Sequence, residues 1–202
     1  MKERISMGKR LSLSVFCFLL SMVLVACGGL RYSKIAPDAK NFHPTTIGIL
    51  PVDVGTYGEA RDVIDKILTD ILVKKKWFSN VRSPEQIKSQ MVSDSEQTKV
   101  VVDYLTKLKT LTFSDPELSE KIGRYYNIES FLVVHVDFWN YTIEGKDKVA
   151  KVGFAMKLID IKTGKIMWEA GHHEVRDYWL IKPDLADVAE DAAHMMIDNM
   201  PH

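Results

Sequence analysis

Cysteine is almost missing from this chain: there are two in 202 residues, Cys17 and Cys27. Everything after Cys27 lacks it, which excludes an internal disulfide and a thiolate metal site there and leaves that part to be held by an apolar core. An excess of one charge is missing too. Lys and Arg number 27, and so do Asp and Glu. A basic excess would have marked a nucleic-acid footprint, and an acidic one a disordered tail. The chain has no Gly-rich phosphate loop, no G-x-S-x-G and no H-E-x-x-H, the short patterns of phosphate binding, serine nucleophiles and zinc hydrolases. It has no internal repeat and no low-complexity tract.

What is present begins at the amino terminus. Lys2, Arg4, Lys9 and Arg10 precede an uncharged stretch, Leu11–Ala26 (LSLSVFCFLLSMVLVA). A basic start and a short apolar run form a secretory signal. Its 16 residues fall short of the ~20 that a membrane-spanning helix requires. Met7 would serve equally as a start, because Lys9 and Arg10 remain. The stretch ends Leu24-Val25-Ala26-Cys27-Gly28, which resembles the bacterial lipobox. That resemblance implies a diacylglycerol on the Cys27 sulfur, cleavage before Cys27 and acylation of the new amino group. Several acyl chains anchor durably where one is marginal, at ~0.8 kcal/mol per buried CH2. The alternative is ordinary cleavage that leaves a Cys27 thiol. Gly28, where an Asp would imply retention in the inner membrane, permits export to the outer membrane, and the expected location is there with the domain facing the periplasm. Removing 1–26 takes away four basic residues and one acidic one, so the even charge balance becomes slightly acidic.

Residues 27–45 read as the lipidated Cys and a flexible tether, since 28–45 have no periodicity and are rich in Gly, Pro and polar residues. Residues 46–202 read as a single domain. Thr46–Val52 is a β-branched first strand. Thr56 and Glu59 suggest a capping box ahead of a long helix whose stripe is Ala60, Val63, Ile64, Ile67, Leu68, Ile71 and Leu72. Lys74–Lys76 close that helix at the negative end of its dipole. Trp77–Val81 is a short strand, Pro84–Met91 a short helix with Ser83 as cap, and 92–97 a loop. A further helix carries Val101, Tyr104, Leu105, Leu108 and Leu111. The next begins at Asp115-Pro116 with the stripe Leu118, Ile122 and Tyr125. Three strands follow, Ser130–Phe138, Lys148–Asp160 and Lys165–Val175, the last with Ile166, Trp168 and Ala170 on one face. A helix over Asp184–Met200 closes the chain. The expected fold is α/β (α+β): a mixed sheet with a carboxyl-terminal antiparallel meander and helices packed on it.

This order resembles the bacterial lipoproteins whose domain is like the amino-terminal domain of TolB. They include activators of penicillin-binding proteins and the curli-secretion lipoprotein. The likeness rests on IGILPV (Ile47–Val52), on KIGRYYNIESFLVV (Lys121–Val134), and on KLIDIKTGKIMWEA (Lys157–Ala170) with its D-x-x-T-G-x-x-x-W pattern. It implies a non-enzymatic, lipid-anchored interaction or assembly module of the outer membrane. One alternative is a subunit of a secretion-channel-like oligomer, although the paired amphipathic hairpins of a barrel are not evident. A second is a metal-dependent hydrolase.

The tempting metal cluster is His172-His173-Glu174 with His135 and Asp137 on a neighbouring strand. Adjacent strand residues point to opposite faces, whereas a metal needs convergent ligands. No metal, cofactor or catalytic residue is therefore assigned. The aromatics say more. In a meander the first and third strands run the same way, which brings Trp139 and Tyr141 to the same end of the sheet as Tyr178 and Trp179. These four are the candidate partner surface, with another envelope protein or a second copy as the partner.

Overall fold

The computed structural model describes residues 30–202. The signal stretch, Cys17 and Cys27 lie outside the described residues. The strands are β1 (Tyr32–Ile35), β2 (Thr46–Ile49), β3 (Asn80–Arg82), β4 (Ser130–Glu144), β5 (Asp147–Asp160) and β6 (Ile166–Tyr178). The helices are α1 (Arg61–Lys75), α2 (Pro84–Ser93), α3 (Ser95–Leu111), α4 (Pro116–Tyr126) and α5 (Leu185–Ile197). One six-stranded sheet runs in the order β1-β6-β5-β4-β2-β3. The pairs β2–β3 and β2–β4 are parallel; β4–β5, β5–β6 and β1–β6 are antiparallel. The expected mixed sheet with a carboxyl-terminal meander is what forms.

Each face of the sheet carries its own core. On one side α1 and α5 bury Ile64, Leu68, Ile71, Val188, Ala192 and Met196 against Val152, Phe154, Met156 and Trp168. On the other, α2, α3 and α4 bury Ile87, Val101, Tyr104, Leu108 and Ile122 against Phe131 and Ile159. Tyr104 and Phe131 meet edge to face at 5.0 Å, a favoured aromatic geometry. Burial pushes the Tyr104 and Tyr126 hydroxyls up, the latter to about 12. No helix among the described residues is long and apolar enough to cross a membrane.

Local sequence accounts for most boundaries. Asp94, Asp115 and Asp184 each accept hydrogen bonds from backbone N–H groups in the first turn of the helix they precede, satisfying donors that would otherwise be orphaned. Pro116 occupies the first turn of α4, where its missing N–H costs nothing. The α1 helix stops where Lys76 turns left-handed at φ 56°.

Several sequence expectations are corrected. Part of the expected tether belongs to the fold: Tyr32–Ile35 is an edge strand in register with Trp168–Gly171 of β6. All four of its residues are exposed, so it carries no alternating pattern to betray it. The capping box at Thr56 and Glu59 does not form. A single 3-10 turn over Gly58–Ala60 leads into α1 without a side-chain cap, and the capping box present is Ser83 with Gln86. Residues 95–97 are the first turn of α3 rather than loop, because Asp94 caps them. In α4 the deeply buried tyrosine is Tyr126, with Tyr125 half-buried at its edge. A register shift between Leu158 and Ile159 sends Ile166 to the helix α2–α4 side while Trp168 stays on the α1–α5 side.

Candidate functional site

The four aromatic residues of the sequence reading separate into three roles. Trp139 is 6% exposed and belongs to the α1–α5 core, so it is withdrawn from the partner surface. A bulge in β4 between Val136 and Phe138 moves Trp139 and Tyr141 onto the face of Val136. One extra residue in a strand reverses the facing of all that follow. Tyr141 and Tyr178 do converge, meeting edge to face at 5.9 Å. They act as a buttress for the β6–α5 connection. The Tyr141 hydroxyl donates to the Pro183 carbonyl at 2.8 Å, and Lys182 Nζ sits 4.6 Å from the centre of its ring. Trp179 extends beyond this pair and is 85% exposed.

The meander also builds a polar strip that sequence reasoning missed. Strand register places Lys34, Glu169 and Lys157 in one row, and Phe138, Gly153 and His173 in another. Lys157 donates to Glu169 at 2.6 Å, and Lys34 stands 3.8 Å from the same carboxylate. These cations hold Glu169 below the usual carboxylate range, Lys157 chief among them. The Phe138 ring lies over Gly153, where a Cβ would meet it at 2.9 Å. Lys151 Nζ is 4.3 Å from that ring, and His173 meets it edge-on at 5.9 Å. None of these residues belongs to either core. The helices of the second face stop short of this half of the sheet. The signal for it lay in Lys151, Lys157 and Glu169, which read from sequence as a solvated face, and in His173, which was weighed there only as a metal ligand.

A groove of about 400 Å3 lies where α3 meets this strip. Leu105, Leu108, Val133 and Ala155 make its apolar wall. Its polar rim is tied together: Lys109 donates to Asp53 at 2.8 Å, and His135 Nδ1 lies 3.1 Å from the same carboxylate. The Lys109 bond holds the Asp53 carboxyl below its ordinary range. Asp53 reaches this place because the chain after β2 continues beside β4, with Asp53 bridged to His135.

The histidines do not converge. His173 is bound by Arg31 at 2.8 Å, His135 faces Asp53, and His172 Nε2 stands 3.5 Å from Glu174. Among the described residues no group of three or more His, Cys, Asp or Glu is placed to hold a metal ion.

No protein-family model matches this sequence, and no curated protein matches it. Solved structures do resemble it. PelC from Paraburkholderia phytofirmans, whose structure is described as a dodecamer, is 14% identical, with 85% of this chain covered, 98% of that one and a TM-score of 0.52. Lipoprotein GNA1162 from Neisseria meningitidis is 13% identical, with 78% of this chain covered, 100% of that one and a TM-score of 0.48. At that identity the likeness to PelC is one of fold.

Proposed function

We propose that this chain is a lipid-anchored module that faces the periplasm from the outer membrane and holds another envelope chain, or further copies of itself, without turning over a substrate. The observation that carries this reading is the half-covered sheet. An antiparallel meander can leave one face open, and here that open half carries a fixed set of charged and aromatic side chains. The strip of Lys157, Glu169, Phe138, Lys151 and His173 lies outside both cores, beside an apolar groove that α3 walls on one side. Charged and aromatic side chains held in a fixed ladder suit recognition of a second chain. The lipobox at Cys27 supports the anchor. Within this reading the domain is of the kind found at the amino terminus of TolB. The supports are the helix-turn-strand at Lys121–Val134 and the Asp160, Thr163, Gly164 and Trp168 hairpin.

A second reading, a subunit of a larger ring or channel-like oligomer, is favoured by the dodecamer that PelC forms. Both readings are tested together. A photo-crosslinking residue at Lys151 in the full chain, in intact cells, is expected to capture a second copy or an envelope protein identified by mass spectrometry. A chain that captures nothing and is monomeric in detergent overturns both.

A further inference from the structure

Three of the most exposed apolar side chains are consecutive. Trp179, Leu180 and Ile181 are 85%, 82% and 86% exposed. They form the connection between β6 and α5. Ile143, 68% exposed, lies just before the β4–β5 hairpin tip at Gly145–Lys146. Strand register puts that tip at the same end of the sheet, because Ile143 and Tyr178 both pair with Lys148 on its two sides. Four apolar side chains thus project from one end, among Lys146, Lys148 and Lys182. Exposed acids there are Glu144, bound by Lys151, together with Asp147, Asp177 and Asp184.

The direction of β1 identifies what this end faces. The strand is antiparallel to β6, with Ile35 opposite Trp168 and Tyr32 opposite Gly171. Followed toward its amino terminus, the chain therefore travels along β6 toward Tyr178. Arg31 continues that course and binds His173. Cys27 is five residues ahead of Tyr32, a reach of at most about 17 Å. Tyr178 is seven residues past Gly171, about 23 Å along the strand. The described chain thus leaves β1 heading toward the end of the molecule that carries the exposed apolar tip.

We propose that Trp179, Leu180 and Ile181 insert into the lipid headgroup region of the membrane that the acyl chains enter, as a second, non-covalent contact that fixes the domain's orientation. This rests on the lipid-anchored reading. Trp favours the headgroup level, where an apolar body meets a polar boundary, and neighbouring lysines keep their ammonium groups at the phosphates. The Tyr141–Tyr178 pair and the bond to Pro183 hold the loop in its projecting position. Burial of three large side chains adds to the anchor without new covalent chemistry.

The test uses the mature full chain purified from membranes and reconstituted in phosphatidylethanolamine–phosphatidylglycerol vesicles with brominated acyl chains. The Trp179 signal is the difference between the wild type and Trp179→Phe, since Trp139 and Trp168 are buried and Trp77 stacks on His202. The expected result is about twofold quenching of that difference by the brominated lipid. Leu180→Ser with Ile181→Ser should reduce it while the melting temperature is kept. Trp179 emission that brominated lipid leaves unchanged overturns the proposal, whether aqueous acrylamide reaches the ring or a second copy shields it. Palmitate labelling, measured separately, reports the acyl anchor. A labelled chain with unquenched Trp179 loses the loop contact alone, and an unlabelled chain with quenched Trp179 loses the acyl reading alone.

Discussion

Trp168 Nε1 donates a hydrogen bond to Ser33 Oγ at 3.1 Å, tying a fully buried side chain of β6 to the outermost strand of the sheet. The two residues are far apart in sequence and on opposite sides of the expected domain boundary. Their contact makes β1 part of the fold. Trp168→Ala is expected to cost about 3–5 kcal/mol through cavity formation. Ser33→Ala is expected to cost about 1 kcal/mol by leaving the indole N–H without its partner. Denaturant unfolding checks both; a silent Ser33 variant would remove β1 from the stabilising framework.

Gly164 sits at φ +67° in the β5–β6 turn, and a Cβ there would meet Pro116 Cα at 2.7 Å. The turn is held by Asp160, which accepts from the Thr163 hydroxyl at 2.6 Å and, through its carbonyl, from Gly164 N at 2.9 Å. Gly164→Val therefore meets backbone strain and a clash with the start of α4. A loss of at least about 1 kcal/mol is expected, read as a lower melting temperature. An unchanged value would mean that turn and helix separate easily.

Protonation of His173 should loosen the start of β1. Burial lowers its pKa from the ordinary 6.5; Arg31, Lys151 and His172 lower it further, and Glu144 opposes them. Its Nδ1 must be unprotonated to accept from Arg31. A depressed pKa contributes stability that is fully present above 6.5 and is lost as pH falls from there through the folded value. Unfolding midpoints at neutral and mildly acidic pH should differ in the wild type and differ less in His173→Gln. An equal difference in both would assign the acid sensitivity elsewhere.

Tyr141→Phe removes the hydroxyl that donates to Pro183 and keeps the ring over which Lys182 lies. Amide exchange over residues 179–184 should speed up, with global stability lowered by about 1 kcal/mol or less. Exchange that stays unchanged would show that α5 alone positions the loop.

Cys27→Ser should abolish palmitate incorporation and leave the precursor unprocessed or the product soluble. A variant that still takes up label and fractionates with membranes would contradict the lipobox reading.

Helices announced themselves in the sequence because their stripes and caps are local. The α1 stripe and the Asp115-Pro116 start both form as read. The order of the meander was also legible, from alternation in β5. What alternation cannot reveal is an interruption of itself. The bulge beside Asp137 turned Trp139 inward, and the slip between Leu158 and Ile159 divided Ile166 from Trp168. β1 was hidden for a different reason: an edge strand with four exposed residues leaves no hydrophobic trace, and its pairing is fixed by a partner far along the chain. The groove was out of reach as well, since Asp53, Lys109 and His135 come from three separate segments.

The antiparallel seam between β1 and β6 also has a mechanical meaning. Its hydrogen bonds lie across the strand axis, while the chain ahead of Tyr32 leaves along that axis. A pull transmitted from the amino-terminal side therefore strains the rungs of Tyr32–Ile35 together, in shear, instead of peeling them one after another. A strand of only four residues is in this way suited to bear a pull applied through the chain that precedes it.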